Sequence, residues 1–150
     1  SNGYLQIIFY DIRVDKMKKD FLVVLLTLFS LTAFAEDPEV YFIHLEDGQE
    51  VVSPIKIKFG LVGFGVAPAG VKKENTGHHH LLIDVVHLPN FNQPIPADKN
   101  HIHFGGGQTE TLIDLPVGSH TLQLLLGNEY HIPHTPALFS KKITIEVVNK

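Results

Sequence analysis

The sequence predicts an all-β protein: a single immunoglobulin-like antiparallel β-sandwich of about seven strands, preceded by a signal peptide. Two observations support the sandwich. Short runs rich in Val, Ile, Leu and Phe recur between Gly, Pro, Asn and Asp clusters after residue 36, and such spacing is typical of sandwiches and barrels. No long amphipathic helical pattern interrupts these runs. The chain has 150 residues, a length that suits one hydrophobic core better than two.

The beginning of the chain is interpreted as an export signal. Residues 1–16 precede Met17, the only methionine, and we interpret them as an upstream extension or a cloning scar outside the fold. Residues 17–35 combine a basic start, an uncharged apolar run and the small-residue motif Ala33-Phe34-Ala35, which is the pattern of a signal peptide. Because the apolar run is shorter than the ~20 residues of a membrane-spanning helix, we expect cleavage rather than anchoring.

This interpretation predicts where the protein acts. Cleavage near Ala35 is expected to release a periplasmic or secreted domain that consists of residues 36–150. Membrane contact would then be limited to the signal peptide before cleavage. The sequence contains no Cys, so the exported domain has no disulfides and no thiolate metal ligands.

The strands of the first half follow from the alternation of apolar and polar residues. Residues 40–44 are predicted to form the first strand, and residues 46–49 a turn. Residues 55–61 alternate apolar side chains with Lys and Gly, which predicts a half-buried strand. Residues 63–73 contain three Gly and one Pro and are predicted to form a loop. Residues 78–86 are apolar at nearly every position after the histidines, as expected for a central strand that is covered on both faces.

The second half is predicted to add four strands, at residues 101–104, 109–115, 119–126 and 142–147. Within the third of these, Leu122 and Leu124 are expected to face the core, and Gln123 the outside. The connections at residues 89–100 and 127–136 are rich in Pro, Asn or His. Long loops of this kind in compact domains are often functional.

The histidines are the main candidates for chemistry. His78, His79 and His80 are consecutive within a predicted strand, so His78 and His80 should share one face and His79 should point to the other. Neutral imidazole is a good ligand for copper and zinc, so a divalent Cu or Zn ion is the predicted cofactor and partner. The candidate ligands are, in order of preference, His78, His80, His101 and His103, followed by His131 and His134; Asp98 and Glu110 are candidate acceptors that orient the imidazoles.

Two alternatives stay open at this point. In the first, the histidines are structural, and the domain is a metal-free interaction module that binds an envelope protein through residues 63–77 and 89–100. In the second, the domain is a metalloenzyme, because His101-Ile102-His103 is similar to the His-x-His strand of copper/zinc superoxide dismutases. The chain lacks the Cys pair of that family, and a shared sandwich does not imply shared chemistry. We therefore expect a non-catalytic binding domain.

Other function classes lack their sequence motifs. The net charge of −4, with no basic patch, argues against nucleic-acid binding. The run Gly105-Gly106-Gly107 opens no helical pattern and carries no Lys, so it does not predict a nucleotide cofactor. Neither His-Glu-x-x-His nor Gly-x-Ser-x-Gly occurs, which removes the usual signatures of a zinc protease and of a serine hydrolase.

The order of several motifs resembles one family. In chain order these motifs are Val40-Tyr41-Phe42, Asp47-Gly48, Val66-Ala67-Pro68-Ala69-Gly70, Gly77-His78-His79-His80-Leu81-Leu82-Ile83-Asp84, Pro94-Ile95-Pro96-Ala97, His101-Ile102-His103-Phe104-Gly105, Gly107-Gln108-Thr109-Glu110, His120-Thr121-Leu122-Gln123-Leu124 and His131-Ile132-Pro133-His134. On these residues the chain resembles the exported bacterial domain-of-unknown-function 4399 family. The resemblance implies a His-rich exported domain and brings no function with it, because none is established for the family.

Overall fold

The computed structural model describes residues 36–150, and it contains nine β-strands and no helix within them. The predicted extension and signal peptide, residues 1–35, lie outside the described residues. The strands are β1 (Glu39–Ile43), β2 (Gln49–Val52), β3 (Ile55–Val62), β4 (Gly65–Val66), β5 (Thr76–Ile83), β6 (His101–His103), β7 (Glu110–Ile113), β8 (Gly118–Gly127) and β9 (Ile143–Val148). None of the described residues forms a helix long and apolar enough to cross a membrane.

The strands form two sheets. One has the order β1-β3-β7, and the other has the order β2-β9-β8-β5-β4, with β6 also paired to β5. Most pairs are antiparallel, whereas β2 with β9 and β4 with β5 are parallel. The all-β immunoglobulin-like sandwich predicted from the sequence is confirmed. The short strands β2 and β4 were not predicted, because neither shows an alternating pattern long enough to recognise.

The core between the sheets follows the predicted alternation. On β3, Ile55, Ile57 and Phe59 are buried while the two intervening lysines are exposed. These side chains pack against the inward side chains of the other sheet, which include Leu81 and Leu124. Burial of this apolar surface stabilises the pairing of the two sheets.

The outer face of the larger sheet is also covered where β5 and β8 pair. Leu82 and Leu125 form a second apolar cluster there with Ile95, which belongs to the connection between β5 and β6. The prediction of a central strand covered on both faces is therefore confirmed for β5. The same cover explains why β8 is buried at every position from 122 to 127.

Gln123 corrects one expectation. The sequence predicted an outward side chain, but Gln123 is only 7% exposed. Residues 138–140, which precede β9, run along β8, with Leu125 and Phe139 bridged. The side-chain amide of Gln123 donates a 2.8 Å hydrogen bond to the Ser140 carbonyl. The predicted direction is correct, because Gln123 is paired with Leu82 on the outer face of the larger sheet. Its burial was not anticipated, because the segment that covers it has no strand pattern of its own.

Candidate metal centre

Strand β5 places two of its consecutive histidines on one face and the third on the other, as the alternation predicts. The ring of His79 lies in the core between the sheets, with its centroid 5.1 Å from that of Phe59. His78 and His80 lie on the opposite, outer face, where their ring centroids are 4.8 Å apart. The candidate centre is therefore built on the outer face of the larger sheet, beside the Leu82 cluster.

The register between β5 and β6 brings a third imidazole to this face. His80 is paired directly with His103, and Leu82 with His101. Directly paired residues project their side chains to the same face of a sheet. The ring centroids of His80 and His103 are 5.1 Å apart as a result. His101 lies two residue pairs further along, opposite Leu82, and its ring contacts a different partner.

Three imidazoles converge at this point. One ring nitrogen from each of His78, His80 and His103 lies within 4.8 Å of the others. Ligand atoms in a tetrahedral zinc site are about 3.3 Å apart, given Zn–N distances of about 2.0–2.1 Å. Small side-chain rotations would therefore bring the three nitrogens to coordination distance. No carboxylate belongs to this group within residues 36–150.

A fourth ring, that of His131, lies beside these three. Its centroid is 4.6 Å from that of His103 and 5.0 Å from that of His78. His131 has a left-handed backbone, with φ of 64°. The loop is held by the Asn128 side-chain oxygen, which accepts hydrogen bonds from the backbone N–H groups on both sides of His131. The backbone N–H of Ile95 donates to the His131 carbonyl at 2.8 Å and ties the loop to the connection before β6.

The remaining predicted residues lie outside the convergent group. His101 Nδ1 is 2.9 Å from Asp98 Oδ1, so this ring is held by a carboxylate three residues before β6 begins. His134 packs edge-on against Phe64, at a centroid distance of 5.0 Å. Glu110 lies on the other sheet and forms an exposed 2.9 Å ion pair with Lys56.

Two imidazoles of the convergent group are buried, and three of their four ring nitrogens have no hydrogen-bond partner. His78 and His80 are 0% and 1% exposed, and both nitrogens of His78 and Nδ1 of His80 are buried and unpartnered. A buried polar atom without a partner costs about 1–3 kcal/mol. His120 shows the ordinary alternative, because Asp84 Oδ2 lies 2.8 Å from its Nδ1 and the Pro116 carbonyl lies 2.9 Å from its Nε2.

The electrostatic environment keeps these rings neutral. Burial, followed by the neighbouring rings of His103 and His131, lowers the pKa of His78 to about 4. Burial, followed by the neighbouring rings of His78, His103 and His131, lowers the pKa of His80 to about 3. The pKa of His103 is also lowered, first by burial and then by His131. At neutral pH each ring therefore offers a free lone pair, which is the form that binds a metal ion.

Two glycines that the sequence analysis did not assign to the site give these rings their space. A Cβ atom at Gly105 would overlap the His103 ring, and one at Gly127 would lie 2.8 Å from His80 Cε1. The glycine run after β6 was the only sequence feature that could have indicated this role. It could not be interpreted without the position of the His103 ring.

We expect the Gly105→Ala variant to weaken metal binding by about tenfold, a loss comparable to that from disturbing groups that orient metal ligands. The added methyl group would push the exposed His103 ring away from His78 and His80 while leaving the core intact. Gly106→Ala is the matched control, because the atoms nearest to a Cβ there belong to the Gln108 side chain and not to His103. Calorimetric titrations with Zn²⁺ compare the two variants, and equal affinities would contradict the role of Gly105.

Comparisons with known proteins give the chain a family but no activity. No functionally curated protein matches it. Part of the X-ray structure of the endo-beta-1,4-mannanase from Thermotoga petrophila is similar, with 16% identity and a TM-score of 0.49 over 83% of this chain and 22% of that chain. The chain thus spans only 22% of that enzyme's length, and this similarity assigns no function to it. The model of the family described as a domain of unknown function (DUF4399) matches residues 57–148, and the chain belongs to this family.

Proposed function

We propose that this protein is an exported, non-catalytic binding domain that holds one divalent transition-metal ion, copper or zinc, through His78, His80 and His103. The observation that supports this most is the convergence of three imidazoles on one point, two of which are buried with unpartnered nitrogens. A metal ion would supply the missing partner to one nitrogen of each ring and offset part of the cost of burial.

The contrast with other histidines of the chain supports this proposal over a purely structural role. His120 and His101 have oxygen partners for their rings, as histidines that stabilise a fold commonly do. His79 is buried without a partner as well, but it lies alone in the core and cannot chelate. Only the group on the outer face combines convergence with unpartnered nitrogens among residues 36–150.

The donor set supports copper or zinc over other metals. Calcium and magnesium require several oxygen ligands, and the group consists of imidazoles alone. Imidazole nitrogen suits Zn²⁺ and Cu²⁺. The sequence has no Cys, so a thiolate-bound blue-copper site is excluded.

We place this activity in the periplasm or outside the cell. The signal-peptide pattern of residues 17–35 supports this location. Periplasmic fractionation of the native protein, combined with determination of its amino terminus, tests it. A mature chain that begins near Glu36 in the periplasm is the expected result, and an uncleaved cytoplasmic chain would contradict it.

We expect the protein, prepared without a His tag, to bind one equivalent of Zn²⁺ or Cu²⁺. Because the ligands converge only in the folded state, metal should raise the melting temperature, by an amount equivalent to about 2.7 kcal/mol at a free concentration 100 times the Kd. Calorimetric titration gives the stoichiometry, and thermal unfolding in EDTA or in metal gives the stabilisation. Absence of both effects would contradict the proposal and leave the metal-free module, bound to an envelope protein, as the better account.

A further inference from the structure

We propose that the metal bound by His78, His80 and His103 keeps a fourth position open on its solvent side, where a small anion binds next to His131. This inference rests on the proposed function and adds to it a second ligand class. The anion would be monodentate, such as hydroxide, azide or a halide.

The convergent group supplies three protein ligands to the proposed metal. Only three imidazole nitrogens within residues 36–150 meet in one group. Structural zinc sites are closed by four protein ligands, whereas sites that exchange ligands have three and leave one position to water or another small molecule. The arrangement of this chain has the ligand count of the second type.

The uneven burial of the three ligands shows on which side the open position lies. His78 and His80 are 0% and 1% exposed. They would therefore bind the metal from its buried side, which faces the sheet. His103 is exposed, because β6 is a short edge strand paired only with β5. A metal held by these rings would therefore be shielded by protein beneath it and would face solvent near His103.

The ring of His131 lies beside the three converging ligands. Its ring lies 4.6 Å from that of His103 and 6.2 Å from that of His80, yet none of its nitrogens joins the convergent group. Hydrogen bonds to the Asn128 side chain and from the Ile95 backbone N–H fix the backbone at His131. The His131 ring is therefore held beside the proposed metal position. From there an N–H of His131 can donate a hydrogen bond to a metal-bound anion.

Charge favours an anion over a neutral ligand. Three neutral imidazoles leave the full double charge of the metal uncompensated, and no carboxylate lies in the group. An anion at the fourth position would reduce that charge in a site that borders the buried apolar cluster of Leu82, Ile95 and Leu125, where electrostatic attraction is stronger than in water. A bound cation is often the largest local charge and dominates the chemistry of its neighbours.

Azide titration of the full chain loaded with one equivalent of Cu²⁺ tests this inference. We expect a saturable one-to-one change in the copper absorption and electron paramagnetic resonance spectra. The His131→Ala variant should bind copper within about threefold of the wild-type affinity and azide at least about tenfold more weakly, because it lacks the hydrogen-bond donor to the bound anion.

The outcomes separate this inference from the proposed function. One equivalent of bound copper with spectra that azide leaves unchanged would overturn the open position and leave metal binding intact. Loss of copper affinity in His131→Ala, with an azide response appearing only then, would make His131 a fourth ligand and would also overturn the inference. Failure of the wild-type chain to bind copper stoichiometrically would overturn the proposed function, and this inference with it.

Discussion

His80→Leu is expected to lose at least about 100-fold in affinity for Zn²⁺ and Cu²⁺. The substitution removes one of three converging nitrogens, and even groups that only orient metal ligands cost 10–100-fold when they are changed. Leucine fills most of the space of the ring, so the variant should fold. In EDTA its free energy of unfolding should equal or exceed that of the wild type, because an unpartnered buried nitrogen is removed.

His79→Leu is the matched control for this experiment. It makes the same change at the adjacent position, which is equally buried but faces the core beside Phe59. We expect it to keep the wild-type metal affinity and the metal-dependent rise in melting temperature. Equal loss of affinity in both variants would show that the effect comes from general damage to β5, and retention in both would contradict the role of His80.

The metal-free protein is expected to lose stability steeply as the pH falls from about 6.5 towards 4. Burial lowers the pKa of His79 to about 4, and burial with neighbouring rings lowers the pKa of His78 to about 4 and that of His80 to about 3. The unfolded chain takes up protons near pH 6.5, whereas the folded chain does not. Because stability rises with pH wherever the unfolded state binds more protons, the loss of stability from these rings begins below about pH 6.5 and grows until the folded rings also take up protons, near pH 4.

The size of this effect can be tested with one variant. Each buried ring should cost about 2 kcal/mol between pH 6.5 and pH 5, at about 1.4 kcal/mol for each pH unit below the unfolded pKa. Urea unfolding in EDTA at pH 7.5, 6 and 5 measures the total, and His79→Leu should recover about 2 kcal/mol of it at pH 5. A free energy of unfolding that does not change between pH 7.5 and 5 would contradict the burial of neutral imidazoles.

Local patterns in the sequence were sufficient for the general architecture. The alternation of apolar and polar residues on β3 predicted a half-buried strand. The apolar run after His80 predicted a central strand covered on both faces. The separation of His79 from His78 and His80 followed from strand geometry alone. Each of these features depends on neighbouring residues of one strand, which is why the sequence was enough.

The composition of the site depends on long-range contacts that local patterns do not contain. His103 reaches the site only in the register that pairs it with His80, and a shift of one residue would have turned the opposite face of β6 towards the site. The side chain of Asp98 holds the His101 ring away from the group. The left-handed conformation that presents His131 depends on the hydrogen bonds of Asn128.

Anomalous X-ray diffraction from crystals of the zinc-loaded or copper-loaded protein tests metal binding by the three imidazoles most directly. We expect one strong anomalous peak at about 2.0–2.1 Å from one nitrogen of each of His78, His80 and His103. A peak beside His101 and Asp98, a peak at His134, or the absence of a peak at the three converging imidazoles in metal-loaded crystals would contradict it.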